Sequence, residues 1–294
     1  MIARSEVPLL IIHADDLGIS AGVNRAIFDA HARGLITSAS LLMGGACIDD
    51  ALKTLKSNSS LDVGVHLCLH DELPVAPPDK ISSLVDKTGR LRPLGQVIKG
   101  IVTGQVKPAH IEAEYRAQVQ RAIENGVRIT HFDSHCHLHA FPPVVGAVAK
   151  VAKQFGIGWL RKPQAVRVSD YAGAPLRRYA LSSTITACSL VSFGFIARGF
   201  HSPDRFIGLV HSGCGDTQWI SESLRTLVAG SINELMVHPG DGSDHGGGRE
   251  DNHGSWQRKA EYDVLLSDDL RAQIDDRKIR LVSYADLGKA NDTL

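Results

Sequence analysis

Leu9-Leu10-Ile11-Ile12-His13-Ala14-Asp15-Asp16-Leu17-Gly18 is an apolar run that stops on two adjacent carboxylates and a glycine. Four aliphatic residues in a row, closed by turn formers, are the pattern of a strand buried on both faces, as in a parallel sheet. Strands of this kind recur along the chain. The pattern predicts them at residues 9–14, 38–43, 63–69, 129–133, 158–161, 206–211, 234–237 and 279–282. Amphipathic helical periods fall between many of them, at 23–33, 109–125, 143–154, 221–229 and 256–266. Alternating strands and helices predict an α/β fold, a distorted (β/α) barrel similar to a TIM barrel, as a single domain over residues 1–294. Two excursions interrupt the rhythm, at about 73–108 and 163–203, and the portion 179–200 is mixed apolar and Ser-rich with no clear period.

Composition narrows the function classes. The 294 residues are 43% hydrophobic and 22% charged, with 32 Lys and Arg against 32 Asp and Glu. No net field draws the chain to nucleic acid, so none is expected as a partner. The opening residues are too short for a signal sequence, and no run of about 18 apolar residues predicts a transmembrane helix. A cytoplasmic location is the expectation. Five scattered cysteines (Cys47, Cys68, Cys136, Cys188, Cys214) form no C-x-x-C pair and read as reduced, small buried residues. The loop 240–248 is glycine-rich but lacks phosphate-cradle spacing, which leaves a lid or a turn.

Polar residues gather at the predicted strand ends. Asp15 and Asp16 close the first strand, His66 lies on the third, and the fourth runs into Asp133-Ser134-His135-Cys136-His137-Leu138-His139. Arg161, His211 and His238-Pro239-Gly240 end the fifth, sixth and seventh. In a parallel barrel all these ends open on one face, so the groups converge although they are distant in sequence. Asp with two His in an open arrangement suits one divalent metal ion, and Asp16, His66 and His135 are the expected ligands. A lone His in an apolar strand is ordinarily a core residue, but the carboxylate pair and the His-rich strand end favour a ligand here. A cation on Asp16 relieves the repulsion between neighbouring carboxylates and leaves Asp15 as general base toward a metal-activated water. The bland alternative is a strand-ending turn in which Asp16 or Ser20 caps the next helix. His238 is the expected general acid. Arg161 is expected to pair with Asp15 or a substrate oxygen, and Asp133 to support the ligands or cap a helix. His137 and His139 are assigned to substrate binding or to orienting the ligands, since alternate residues share a face only while the strand lasts.

These motifs, in this order, resemble the YdjC family of carbohydrate deacetylases, which includes chitooligosaccharide deacetylase and the deacetylase of hopanoid biosynthesis. The likeness rests on His13-Ala14-Asp15-Asp16-Leu17-Gly18, Gly64-Val65-His66-Leu67, residues 130–139 and His238-Pro239-Gly240. It departs at Leu17, where relatives commonly carry Phe, and at Cys136, where a further His is common. The resemblance implies a divalent cation on Asp16, His66 and His135, and hydrolysis of an N-acetyl group from an amino sugar such as an N-acetylglucosamine oligosaccharide or glycolipid. It adds magnesium to the ions that Asp and His suit, zinc among them. Two rivals stand beside it: a phosphoesterase-like metal hydrolase on a similar barrel, suggested by His137-Leu138-His139, and a non-catalytic sugar-binding protein. Pairing of barrels into a homodimer stays open.

Overall fold

A computed structural model describes residues 6–166, 176–213, 215–244 and 258–292. In chain order the elements are β1 (Leu9–Leu17), α1 (Ala21–Ala32), β2 (Ser38–Leu41), α2 (Ile48–Leu55), β3 (Asp62–Leu67), a 3₁₀ turn (Pro78–Ile81), α3 (Leu94–Val102), α4 (Pro108–Glu124) and β4 (Ile129–Ser134). A tight turn (His135–Ala140) leads to α5 (Pro142–Phe155) and β5 (Trp159–Leu160). Then come α6 (Leu176–Val191), which runs into a π turn (Ser192–Ile196), β6 (Arg205–Ile207), α7 (Thr217–Arg225) and β7 (Ile232–Val237). The chain ends with α8 (Arg258–Leu265), α9 (Asp268–Asp276), β8 (Arg280–Leu281) and α10 (Tyr284–Asp292).

The eight strands among the described residues form one sheet in the order β5-β4-β3-β2-β1-β7-β6, with β8 against β1. Each pairing is parallel. Helices cover such a sheet, which is why β1 is buried at all nine positions and reads as an aliphatic run. The sheet curls into a half-barrel. Its edges β5 and β6 are two and three residues long. Only isolated bridges, Trp159 with His201 and Ala165 with Phe206, approach a closure among the described residues. The expected barrel is therefore an open, curled sheet, because its fifth and sixth strands are too short to sustain a ladder.

The main core packs the helix-facing residues of the strands, such as Leu10, Ile12, Val65 and Phe132, against Ile27 of α1 and Val144 and Val148 of α5. Each large aliphatic side chain so buried contributes about 1.5–3 kcal/mol. Local signals set the helix ends: Ser20 accepts from Val23 N at the start of α1, α4 and α5 begin on Pro, and Gly156 at φ 70° closes α5. The excursion at 73–108 is anchored to α4, where the Glu114 carboxylate accepts the backbone N–H groups of Val75 (2.9 Å) and Ala76 (3.0 Å).

Three expectations need correction. The stretch at 179–200 is mostly helix, and the periodicity missed it because its polarity is inverted. The side facing the protein buries Ser182, Ile185 and Ser189, while Leu176, Leu181 and Leu190 face outward. Residues Leu176–Ile196 (21 residues) are also long and apolar enough to cross a membrane by length and composition, with a mean hydropathy of 1.5 over an 18-residue window. A search for uninterrupted apolar runs passes over a helix whose apolar residues are interspersed with Ser and Thr. Among the described cysteines only Cys68 is buried; Cys47, Cys136 and Cys188 are half-buried, and Cys214 lies outside the described residues. Most of the glycine-rich loop, from residue 245 onward, also lies outside them.

Candidate active site and metal centre

In a regular strand, adjacent side chains point to opposite faces, yet Asp15 and Asp16 both reach the same histidine. His66 Nε2 lies 4.0 Å from Asp15 Oδ2 and 3.5 Å from Asp16 Oδ1. Two features of the end of β1 permit this. The register against β2 shifts between Ala14 and Leu17, and Asp16 takes a left-handed φ of 70°. A bulge and a left-handed residue re-aim one side chain onto its neighbour's face, and Asp tolerates that conformation better than most residues. The helix that follows is capped by Ser20, which leaves both carboxylates to the site.

Three donor atoms converge on one point. Asp16 Oδ1 is 3.5 Å from His66 Nε2 and 3.0 Å from His135 Nδ1, and the two ring nitrogens are 3.3 Å apart. Asp133 Oδ1 lies 2.9 Å from His66 Nδ1, so that nitrogen carries the hydrogen and Nε2 turns its lone pair inward. Ser40 donates to the other oxygen of Asp133 at 3.0 Å. Asp16 Oδ1 is buried without a hydrogen bond. Burial alone would lower the His66 pKa, but the charges of Asp133, Asp15 and Asp16 outweigh it and push it up to about 9. A position that draws a proton onto an imidazole this strongly also favours a bound cation. The donor set, its orienting carboxylate and the orphaned oxygen fit a divalent ion of the kind held by Asp and His.

Arg161, fully buried, is the hub behind Asp15. Its guanidinium donates to both oxygens of Asp15 (2.7 and 2.8 Å) and to Glu234 (2.8 Å), and lies 2.7 Å from Asp133 Oδ2. Burial opposes ionisation of Asp15, but the Arg161 charge outweighs it and holds the carboxyl well below the usual range. His13, Asp15 and Asp133 form a second potential ion-binding group, and the guanidinium already supplies its positive charge. Beneath it, His13 Nε2 meets His131 Nε2 at 2.8 Å, His131 stacks on Tyr284 (3.9 Å between centroids), and the Tyr284 hydroxyl donates to Glu234 at 2.9 Å. Gly64 on β3 is required here, because a Cβ at that position would collide with the His131 ring.

His238 lies across the mouth, with Nε2 3.9 Å from Asp15 Oδ2. Burial lowers its pKa to about 4 against the pull of Asp15 and Asp16, which keeps the ring neutral. Its backbone N–H donates to Glu261, whose carboxylate also accepts from Gly215 N at 3.0 Å. Arg258 donates to Asp16 Oδ2 at 2.7 Å.

The histidine ladder divides by role. β4 ends at Ser134, and Cys136 and His137 are both left-handed (φ 54° and 55°), so His135, His137 and His139 leave the strand in different directions. His135 joins the donor set. His139 is pinned between Ser134 Oγ (2.6 Å) and the carbonyl of Arg161 (2.9 Å), a structural position. His137 lies edge-on to Phe206, and its buried Nδ1 has no hydrogen bond.

Several residues here had escaped the sequence reading. Glu234 lies inside an expected strand, Arg258 and Glu261 on an expected helix, and His13 and His131 one turn of pleat away from the residues that were chosen. His70 stacks on His135 with centroids 5.0 Å apart and holds Asp71 at 3.0 Å. The only signal for it was a His-Asp pair just beyond β3.

The model of the family described as YdjC-like protein matches residues 9–276. The chain is 31% identical over 291 residues to a carbohydrate deacetylase of Brevibacillus brevis, covering 95% of this chain and 99% of that one. It is 30% identical over 296 residues to a carbohydrate deacetylase of Homo sapiens, covering 95% and 90%. A solved structure from Enterococcus faecalis, of a protein named for cellobiose-phosphate cleavage, shares the fold with a TM-score of 0.74 at 24% identity, covering 96% of this chain and 99% of that one. With the match running from β1 to α9, the chain belongs to the YdjC-like family.

Proposed function

We propose that this protein is a metal-dependent hydrolase that removes the acetyl group from an N-acetylated amino sugar, as one deacetylase domain built on the single sheet. The observation that carries the proposal is the convergence of Asp16 Oδ1, His66 Nε2 and His135 Nδ1 beside an ionised Asp15. The names of the relatives supply the substrate class.

Asp16, His66 and His135 would hold the ion, which when bound supplies positive charge for an amide carbonyl and for water. Asp15 acts as general base, and its bidentate bond to Arg161 keeps it ionised and fixed in direction. His238, neutral at rest and 3.9 Å from Asp15, receives the proton that Asp15 removes from water and passes it to the departing amine nitrogen. That nitrogen leaves poorly as an anion, so protonation is part of the step. His137 offers its free Nδ1 to a sugar hydroxyl. The burial of Asp15, Asp16 and His66 excludes bulk water from all but the mouth, which strengthens each charge interaction.

Acetate release from N-acetylglucosamine, its oligomers and an N-acetylated glycolipid, with divalent metal supplied, tests the proposal. Release from at least one is expected, and none from any would overturn it in favour of a sugar-binding protein. A two-ion phosphoesterase remains the alternative enzyme because His70, His135 and Cys136 form another donor group beside the first. Two tightly held ions per chain, with phosphate rather than acetate release, would favour it.

A further inference from the structure

α6 and the π turn after it bury small polar residues beside Ile185 and Phe193, and expose most of their large apolar ones. Facing the protein, Ser192 Oγ donates to Ala140 O at 2.7 Å, Thr186 Oγ1 accepts from Ala165 N at 3.0 Å, and Phe193 lies edge-on to His139. Facing away are Leu176, 88% exposed, with Leu181, Leu190, Val191, Phe195 (83% exposed) and Ile196. Large apolar side chains exposed along the length of a helix are costly in water unless something covers them. The inner side packs on the turn that carries His135–His139, so the helix lies along the protein surface.

Charge selects the occupant. Between residues 176 and 203 there is no Asp or Glu, while Arg177 and Arg198 are exposed near the two ends. A second copy docked on the same face about a two-fold axis would set arginine-bearing ends against arginine-bearing ends, with no carboxylate on the segment to neutralise them. An anionic bilayer meets both requirements: acyl chains for the leucines and Phe195, and lipid headgroups for the arginines.

We propose that the outer face of Leu176–Ile196 is a docking surface for an anionic phospholipid bilayer, with the helix lying in the plane of the interface. The segment packs on the turn bearing His135, His137 and His139, so docking would hold the site close to the headgroup layer. This goes beyond the proposed deacetylation and does not depend on it.

Flotation of the full chain with vesicles of phosphatidylcholine and phosphatidylglycerol is the test, read as the fraction of protein bound. Wild type is expected to float, and a Leu181→Ser, Leu190→Ser, Phe195→Ser variant to lose roughly tenfold or more in binding while keeping its circular dichroism. Arg177→Glu with Arg198→Glu, which spares every apolar contact, should abolish the preference for anionic over neutral vesicles. Wild type that stays unbound, equal flotation of the serine variant, or a wild-type dimer that the serine changes convert to monomer would each overturn the proposal, the last in favour of a second copy. Because binding and not turnover is measured, failure of the deacetylation proposal would leave this result readable.

Discussion

The mouth of the sheet and the outer face of α6 break the same rule in opposite directions. At the mouth, Asp15, Asp16, His66, Asp133, Arg161 and Glu234 are at most 2% exposed, where aliphatic side chains would be the ordinary filling. On α6, Leu176 and Phe195 are more than four-fifths exposed while Ser182 and Ser189 are buried. In the first region every charge finds an opposite charge within the molecule, or, at Asp16 Oδ1, a position suited to a cation. In the second, the described residues supply no cover. Buried charge that is internally compensated marks chemistry, whereas exposed hydrocarbon without compensation marks contact with something outside.

Arg161 offers the largest way to break the first half of this contrast. Arg161→Met leaves Asp15, Asp133 and Glu234 without their shared counter-charge, and should cost roughly 3–5 kcal/mol by thermal or denaturant unfolding. A loss below about 1 kcal/mol would mean that the carboxylates do not depend on the guanidinium. Next in size, Asp15→Asn should reduce turnover by roughly a hundredfold or more while metal content holds, measured by acetate release and elemental analysis. Near-normal turnover would remove Asp15 from the base role. This variant also sharpens the contrast, because it alters the chemistry of the mouth and leaves vesicle binding by α6 untouched.

A smaller effect belongs to Glu261. Burial, outweighing the N–H groups of His238 and Gly215, pushes its pKa up to about 7 from an ordinary 4.5. The folded state then holds a proton that the unfolded chain releases. The stability this contributes is complete below about pH 4.5 and is lost as pH rises through about 7. Glu261→Gln should flatten the decline in melting temperature between these limits. An unchanged slope would show that other groups produce it.

The sequence reading located all eight strands because parallel strands buried on both faces are aliphatic throughout, and the first of them ends on its own chemistry at Asp15-Asp16. It names His135 alone of the three histidines as a ligand, but it could not foresee that Asp16, Cys136 and His137 turn left-handed, which is what aims the side chains at both strand ends. The pairing of Arg161 with Asp15 was expected, but its central position was hidden, since Asp133 and Glu234 come from two further strands. α6 escaped for a different reason: apolar periodicity reports burial only where hydrocarbon is most of what is buried, and here Ser182 and Ser189 flank a single Ile185. Closure of the barrel failed at β5 and β6, whose few residues carry no pattern that distinguishes a bridge from a ladder.

The most direct test is metal titration by calorimetry, after chelator treatment and dialysis, of the wild-type chain and of His66→Ala and His135→Ala. If Asp16, His66 and His135 form the site, wild type binds one divalent ion per chain and both variants lose that binding while remaining folded. Undiminished binding by either variant would contradict the assignment, and with it the proposed hydrolysis.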